Sequence, residues 1–284
     1  MAVPGAADLL RARPYVAHVP PGYDGKAPLP LLIVLHGYQS SGAGHAAYFA
    51  IADAAARAGV MYVAPDGSRD VVGDRFWNAG RACCDFHGAG VDDVAYLSAL
   101  ITDVRAHHRI DPRRIFLLGH SNGGFMSYRM ACARADLIAG LVSLAGAGPG
   151  PDDALPCTPG EPVSVLQVHG DRDRVIEYGG GRFHARLGRY PSAQATVATW
   201  AQHNGCTGPL SPVTGAPRVT LTATAAGDGT GDTRQQSYAG CPQGAVELWT
   251  IEGGNHMPPL SPQFAARVLQ FLLAHPKPSG PAAP

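Results

Sequence analysis

Ile115-Phe116-Leu117-Leu118-Gly119-His120-Ser121-Asn122-Gly123-Gly124 is the stretch whose reading decides the fold. Its first four residues are a continuous apolar run of strand length, and from Asn122 to about Arg134 apolar side chains recur at helical spacing. Between them lies G-x-S-x-G. A turn from strand into helix this tight leaves no room for side chains two positions before and two after the serine, which accounts for Gly119 and Gly123. Such a turn lifts the Ser121 hydroxyl above the sheet at a helix N-terminus, where the helix dipole favours developing negative charge. Bare G-x-S-x-G is common by chance; the strand before it and the helix after it give it meaning.

Outward from this turn the chain alternates strands and helices. Arg13 to Val19 reads as an edge strand stopped by Pro20-Pro21-Gly22. Leu31 to Leu35 reads as a parallel strand buried on both faces, Ala46 to Ala58 as a helix ending at Gly59, and Val60 to Ala64 as a further buried strand. Residues 67–90 are irregular, and a helix runs from Asp92 and Asp93 to about His107. Strands follow at Ile138–Leu144 and Val163–Val168, then a helix at Pro191–His203 with its proline in the first turn. Val219–Ala223 and Arg234–Tyr238 are expected to form a hairpin or an excursion off the sheet, Val246–Ile251 the last core strand and Pro262–Ala274 the last helix. This alternation predicts right-handed crossovers and a mostly parallel sheet. With no internal repeat and no second apolar core, residues 1–275 are expected to form one α/β catalytic domain. Pro276 to Pro284, rich in Pro, Gly and Ala, is expected to be a disordered tail.

A serine hydroxyl needs a neighbouring base, and the base needs a carboxylate to hold its tautomer. In the α/β-hydrolase fold these follow in the order Ser, acid, His. Strand Val163–Val168 leads into His169-Gly170-Asp171-Arg172-Asp173, which offers Asp171 and Asp173; spacing does not choose between them. The base belongs in the loop between the last strand and the last helix. His184 and His203 lie too early, His275 lies beyond that helix, and His256 in Gly253-Gly254-Asn255-His256-Met257-Pro258 occupies the loop. For the oxyanion of an acyl transfer, one backbone N–H comes from the residue after the nucleophile, Asn122. The second is expected from the loop after Leu31–Leu35, at Tyr38 of His36-Gly37-Tyr38.

Composition excludes several classes. The 284 residues carry 22 basic and 22 acidic side chains, a formal net charge of zero, so no electrostatic footprint exists for nucleic acid or an anionic membrane surface. No apolar run approaches the length of about 18 residues needed to span a bilayer. The six cysteines show no zinc or redox spacing, and neither a metal nor a cofactor is expected. Asp228-Gly229-Thr230-Gly231-Asp232 lacks the spacing of a calcium loop and reads as a polar hairpin tip. An even cysteine count in a loop-rich chain fits three disulfides and an oxidising compartment, with Cys206 and Cys241, which flank the expected hairpin, as the first pair. Met1-Ala-Val-Pro-Gly is no signal peptide, so export requires a leader outside these residues.

Beyond its separate motifs, nearly the whole chain, from about Tyr15 to Phe271, resembles the α/β-hydrolase esterases grouped as polyhydroxybutyrate depolymerases and feruloyl esterases. The resemblance rests on Leu35-His36-Gly37-Tyr38, Ala64-Pro65-Asp66-Gly67, Trp77-Asn78, Cys83-Cys84, Val91-Asp92-Asp93-Val94 and Ile110-Asp111-Pro112-Arg113-Arg114-Ile115. It continues through Gly119–Gly124, His169-Gly170-x-x-Asp173 running on to Tyr178-Gly179-Gly180, and Gly254-x-His256. The resemblance implies that the acid is Asp173, three residues after His-Gly, and that the protein is secreted or periplasmic. Two departures stand out: Met257-Pro258-Pro259 where the family commonly has Trp two residues after its histidine, and Ile176-Glu177-Tyr178 in place of Val-Pro-Tyr. Adjacent Cys83 and Cys84 either bridge to each other, leaving Cys132 and Cys157 to pair, or pair separately with those two.

These readings converge on a serine esterase with Ser121, Asp173 and His256 as triad and Tyr38 and Asn122 as oxyanion donors. No long helical insertion that could form a lid is evident between Ala145 and Pro162 or after Asp173, so the site suits bulky or polymeric ester substrates. The reading favours a polyhydroxybutyrate-type polyester, with feruloyl or acetyl-xylan esters as the alternative, and expects Trp77 and Tyr178 to wall the pocket. A non-enzymatic binding protein on a hydrolase scaffold usually lacks a triad member, and here all three are present.

Overall fold

The computed structural model describes residues 5–153, 157–183, 187–215, 219–223 and 232–278. In chain order its elements are α1 (Ala6–Ala12), β1 (Ala17–His18), β2 (Leu29–Leu35), α2 (Gly42–Tyr48), α3 (Ile51–Ala58), β3 (Met61–Val63), β4 (Ser68–Arg69), β5 (Arg75–Phe76) and α4 (Asp93–His107). There follow β6 (Ile110–His120), α5 (Asn122–Ala133), β7 (Gly140–Leu144), β8 (Ser164–Gly170), α6 (Ala193–His203), β9 (Leu210–Pro212), β10 (Thr233–Tyr238), β11 (Val246–Ile251) and α7 (Gln263–Ala274). Among the described residues nine strands form one sheet, in the order β1-β3-β2-β6-β7-β8-β11-β10-β9. The six central strands, β3 through β11, are parallel, and the strands outside them are antiparallel.

Side-chain alternation along the strands builds two apolar layers. Leu31, Ile33 and Leu35 of β2 and Ile115 and Leu117 of β6 pack with α4, α5 and α6 on one face. Leu32, Val34, Phe116 and Leu118 pack with α3 and α7 on the other. Because both faces are covered, the parallel strands read as uninterrupted apolar runs rather than alternating ones. Functional loops of such sheets gather at the carboxyl ends of the strands, and here those ends carry Tyr38, Ser121, Asp173 and His256. Among the described residues no helix is long and apolar enough to cross a membrane.

Several sequence expectations are corrected. The expected helix from Ala46 to Ala58 is two helices: Ser41 caps the first by accepting the N–H of Gly44, and the chain breaks at Ala50, which adopts φ 51°. No glycine or proline marks the break; Phe49, buried and stacked on Phe264 of α7 at 5.6 Å, anchors the bend. Of the expected edge strand only Ala17 and His18 pair, with Val63 and Tyr62. Of the pairing expected between Val219–Ala223 and Arg234–Tyr238 the described residues show one bridge, Val219 to Thr233, while β10 pairs with β9 and β11. Of the Asp228–Asp232 segment, 228–231 lie outside the described residues; the Asp232 carboxylate accepts the N–H groups of Leu221 and Thr222.

The first residues of the expected tail are held against the domain. Lys277 donates its N–H to the carbonyl of Arg113, accepts from Arg113 Nε at 2.8 Å, and pairs with Glu161. Residues 279–284 lie outside the described residues.

All six cysteines are bridged: Cys83 to Cys84, Cys132 to Cys157, and Cys206 to Cys241. The Cys206–Cys241 bridge ties residues 35 positions apart. Opening it with the double substitution Cys206→Ser/Cys241→Ser is expected to lower the unfolding free energy by about 3–4 kcal/mol on the chain-entropy account. Guanidinium chloride unfolding followed by circular dichroism reads this, and an unchanged midpoint contradicts it.

Candidate active site

β6 runs directly into α5 through Ser121, whose backbone sits at φ 53°, ψ −118°. A non-glycine residue in this region is strained and persists only when its surroundings fix it. Its N–H donates to the carbonyl of Leu144 at 2.8 Å, tying the turn to neighbouring β7. A Cβ added to Gly119 would lie 2.1 Å from the Gly123 carbonyl oxygen, and one added to Gly123 would lie 2.1 Å from that of Leu35. Both contacts are with backbone, so both glycines are required.

The loops after β8 and β11 bring the remaining members. His256 Nε2 lies 3.0 Å from Ser121 Oγ, and His256 Nδ1 lies 2.8 Å from Asp173 Oδ2. Since a carboxylate can only accept, Nδ1 carries the proton and Nε2 faces the serine hydroxyl as an acceptor. The other oxygen of Asp173 accepts the N–H groups of Val175 and Ile176. Burial pushes the Asp173 carboxyl up, but the hydrogen bonds from His169 and His256 and the Val175 N–H outweigh it and hold the group well below the usual carboxylate range. Asp171 instead accepts the N–H of Gly253 at 2.7 Å, a turn carboxylate that braces the His256 loop.

Sequence reasoning missed why His169-Gly170 accompanies the acid. A Cβ on Gly170 would lie 2.3 Å from the Gly254 carbonyl oxygen, so the acid-bearing and base-bearing loops touch at glycine. His169 Nε2 donates to the Ile176 carbonyl at 2.8 Å and lies 3.3 Å from Asp173 Oδ2, while its Nδ1 accepts from Gln167 Nε2. Gln167 in turn accepts from the Tyr128 hydroxyl, a fully buried chain that ends at the acid loop.

The loop after β2 lies beside the nucleophile: a Cβ on Gly37 would stand 3.5 Å from Ser121 Cβ. Among the described residues neither Tyr38 N–H nor Asn122 N–H has an acceptor, the latter because it opens α5. Two free backbone donors beside a serine–imidazole pair are what a tetrahedral oxyanion requires. The loop is held from the side, since the Tyr38 hydroxyl donates to Asp70 and Gln39 N–H donates to the carbonyl of Arg75, both on the β4–β5 hairpin.

One expected pocket wall is corrected. Trp77 is 0% exposed; its indole N–H donates to the His36 carbonyl, and its backbone N–H and C=O are both bound by the Asn122 side chain. It clamps the loop bearing Tyr38 to the start of α5 and cannot meet substrate. Tyr178 shares a 2.9 Å hydrogen bond with Thr250 Oγ1 on β11 and sets its ring edge-on to His169, so it ties the acid loop to the sheet. The aromatic surface near the site is instead Tyr38, Phe86 and Phe183, with Phe86 edge-on to Tyr38 at 4.7 Å and stacked on Phe183 at 5.4 Å. Phe86 and Phe183 carried no signal, because their segments have no periodicity from which a face could be read.

The sheet order, the strained serine turn and the hydrogen-bonded line of three residues define an α/β-hydrolase. Within that class the chain belongs to the phospholipase/carboxylesterase family, whose profile matches residues 24–187. It is 30% identical over 249 residues to feruloyl esterase B of Piromyces equi, covering 86% of this chain and 42% of that protein. It is 25% identical over 260 residues to feruloyl esterase D of Neurospora crassa, covering 87% of this chain and 75% of that one. The chain thus spans less than half the length of the Piromyces protein. The acetyl xylan esterase from Aspergillus awamori shares the fold, with TM-score 0.60 at 14% identity over 91% of this chain and 93% of that one.

Three buried imidazoles, His36, His45 and His120, lie beneath the serine and the oxyanion loop. Burial pushes each of them down, His45 to about 4 and His120 to about 3. An unfolded histidine takes up its proton near pH 6.5. Between there and about pH 4 the unfolded chain therefore binds more protons than the native one, and the stability contributed by the neutral rings, full above pH 7, is lost as pH falls. Thermal unfolding scans are expected to show Tm falling from pH 7 to 4.5, and His45→Gln is expected to remove about one proton from the slope. A Tm independent of pH across this window contradicts the assignment.

Proposed function

We propose that this protein is a serine esterase that cleaves carboxylic esters through an acyl-enzyme. The observation that carries the reading is the line Asp173–His256–Ser121, with contacts of 2.8 and 3.0 Å, beside two unpaired backbone N–H groups. Ser121 Oγ attacks the ester carbonyl carbon as its proton passes to His256 Nε2. Asp173 stabilises the resulting imidazolium and keeps the ring in register. The carbonyl oxygen, now negative, takes the N–H groups of Tyr38 and Asn122. His256 returns the proton to the departing alcohol, then activates water to free the acid and regenerate Ser121.

The site is open. Among the described residues no helix stands between β7 and β8 or between β8 and α6 to cover it, which suits an ester carried on a large alcohol or polymer. For the acyl group, the aromatic run Tyr38–Phe86–Phe183 and the feruloyl esterases among the relatives support a hydroxycinnamoyl ester. A second reading, an aliphatic polyhydroxyalkanoate, is favoured by exposed apolar side chains on the surrounding loops. These are Val71 and Val72 on the hairpin bracing Tyr38, Val175 beside the acid, Phe183, and Met257 beside the base at 51% exposed. Exposed apolar side chains of this kind fit adsorption to a hydrophobic surface. The three disulfides support action outside the reducing cytosol.

Ser121→Ala is expected to lower kcat/KM on p-nitrophenyl butyrate by about 10⁴-fold or more while leaving the fold intact; undiminished turnover would sink the mechanism. Parallel assays on methyl ferulate and on hydroxybutyrate oligomers separate the acyl classes. A hundred-fold preference, about 2.7 kcal/mol of transition-state discrimination, decides for the faster substrate.

A further inference from the structure

The residue before the nucleophile takes no part in the chemistry above, yet it is buried and every nitrogen it has is engaged. His120 Nε2 lies 2.9 Å from the backbone carbonyl oxygen of His256. His120 Nδ1 lies 3.0 Å from His45 Nε2, and His45 Nδ1 lies 2.9 Å from Ser40 Oγ. The rings of His120 and His45 are stacked, 5.1 Å apart, and only 4% and 3% of their surfaces are exposed.

The protons along this chain can be assigned by elimination. A carbonyl oxygen can only accept, so His120 Nε2 carries the proton. The ring is neutral, which leaves Nδ1 as an acceptor, so His45 Nε2 carries the proton between the two rings. His45 Nδ1 then accepts from the Ser40 hydroxyl. The Gly37 N–H also lies 3.4 Å from His45 Nε2, the longer and weaker of that nitrogen's two contacts. The direction is uniform: Ser40 donates to His45, His45 to His120, and His120 to the carbonyl of His256.

We propose that His120, backed by His45 and Ser40, is a positioning residue that fixes the backbone of His256 and so holds its imidazole in line with Ser121. This rests on the esterase reading of the triad. The need is visible in the loop itself. His256 follows Gly253 and Gly254, its side chain is partly exposed, and among the described residues its carbonyl accepts only from His120. Beyond this residue the loop is next held where the Tyr48 hydroxyl donates to the Pro258 carbonyl, also from α2. Helix α2 therefore supports the base twice, once directly and once through His120. The break at Ala50 explains how a short helix comes to stand there. A shift of about 1 Å in a reacting group can slow a reaction about a hundred-fold, so a donor to the carbonyl of the base acts on rate rather than on substrate affinity.

The test uses the intact chain with p-nitrophenyl butyrate as substrate and ¹⁵N-histidine labelling for NMR. His120→Phe keeps the volume and removes both hydrogen bonds. It is expected to lower kcat about 10- to 100-fold with KM within about twofold, and to broaden or abolish the downfield His256 Nδ1–H signal. His120→Gln can still donate to the His256 carbonyl and accept from His45, and is expected to restore kcat to within about fivefold of the parent and to recover the signal. His45→Phe leaves His120 unsupported and is expected to fall between the two. A folded His120→Phe variant with parental kcat overturns the proposal, as does a His120→Gln variant no faster than His120→Phe. If His120→Phe does not fold, parental kcat and an unchanged signal in folded His45→Phe overturn it. If the parent protein proves inactive on every ester while the His256 signal still depends on residue 120, the esterase reading fails and the positioning role stands.

Discussion

The structure depends on one backbone constraint: the chain must turn from β6 into α5 within a single residue while two neighbouring backbones press against it. Ser121 takes a left-handed conformation that its side chain disfavours, and Gly119 and Gly123 allow the helix to sit on the carbonyls of Leu35 and on the strand it has just left. That packing has two chemical consequences. It points the serine hydroxyl out of the sheet edge, and it leaves the N–H of Asn122 unpaired at the start of a helix, where negative charge is favoured. Because β2 is the neighbour of β6, the loop carrying Tyr38 comes to the same place. Because β8 and β11 lie together on the other side of β7, their loops deliver Asp173 and His256 from one direction.

Around this turn the protein uses buried polar chains. Tyr128, Gln167 and His169 run to the acid loop; Ser40, His45 and His120 run to the base loop. Leaving a buried donor or acceptor unpaired is costly, so a chain in which each member is satisfied has essentially one arrangement. Each chain therefore acts as a rigid strut, and both end on the loops whose separation sets the serine–imidazole contact. Trp77 and Asn122 likewise exchange hydrogen bonds that lock the loop carrying Tyr38 to the start of α5.

What could be read from the sequence was what local physics determines. The glycine spacing around Ser121 and the place of His256 in the last loop required only a strand, a turn and a helix in order. The choice of Asp173 over Asp171 did not follow from spacing, since both stand on one turn; it depends on which carboxylate the touching glycines Gly170 and Gly254 bring to the imidazole. Trp77 was misread because an aromatic residue near a motif looks the same whether it faces a ligand or the core. The break at Ala50 and the shortened hairpin were hidden for a related reason: tertiary contacts through Phe49, and the pairing of β10 with β9, overrode local preference.

The proposed acyl transfer needs Ser121, His256 and the two unpaired backbone N–H groups to act together on one tetrahedral centre. A crystal structure of the protein after reaction with diethyl p-nitrophenyl phosphate tests this most directly. Phosphorus is expected on Ser121 Oγ, with one phosphoryl oxygen about 2.7–3.1 Å from the backbone nitrogens of both Tyr38 and Asn122. Phosphorylation at another residue, or an adduct on Ser121 whose oxygen reaches neither nitrogen, would contradict it.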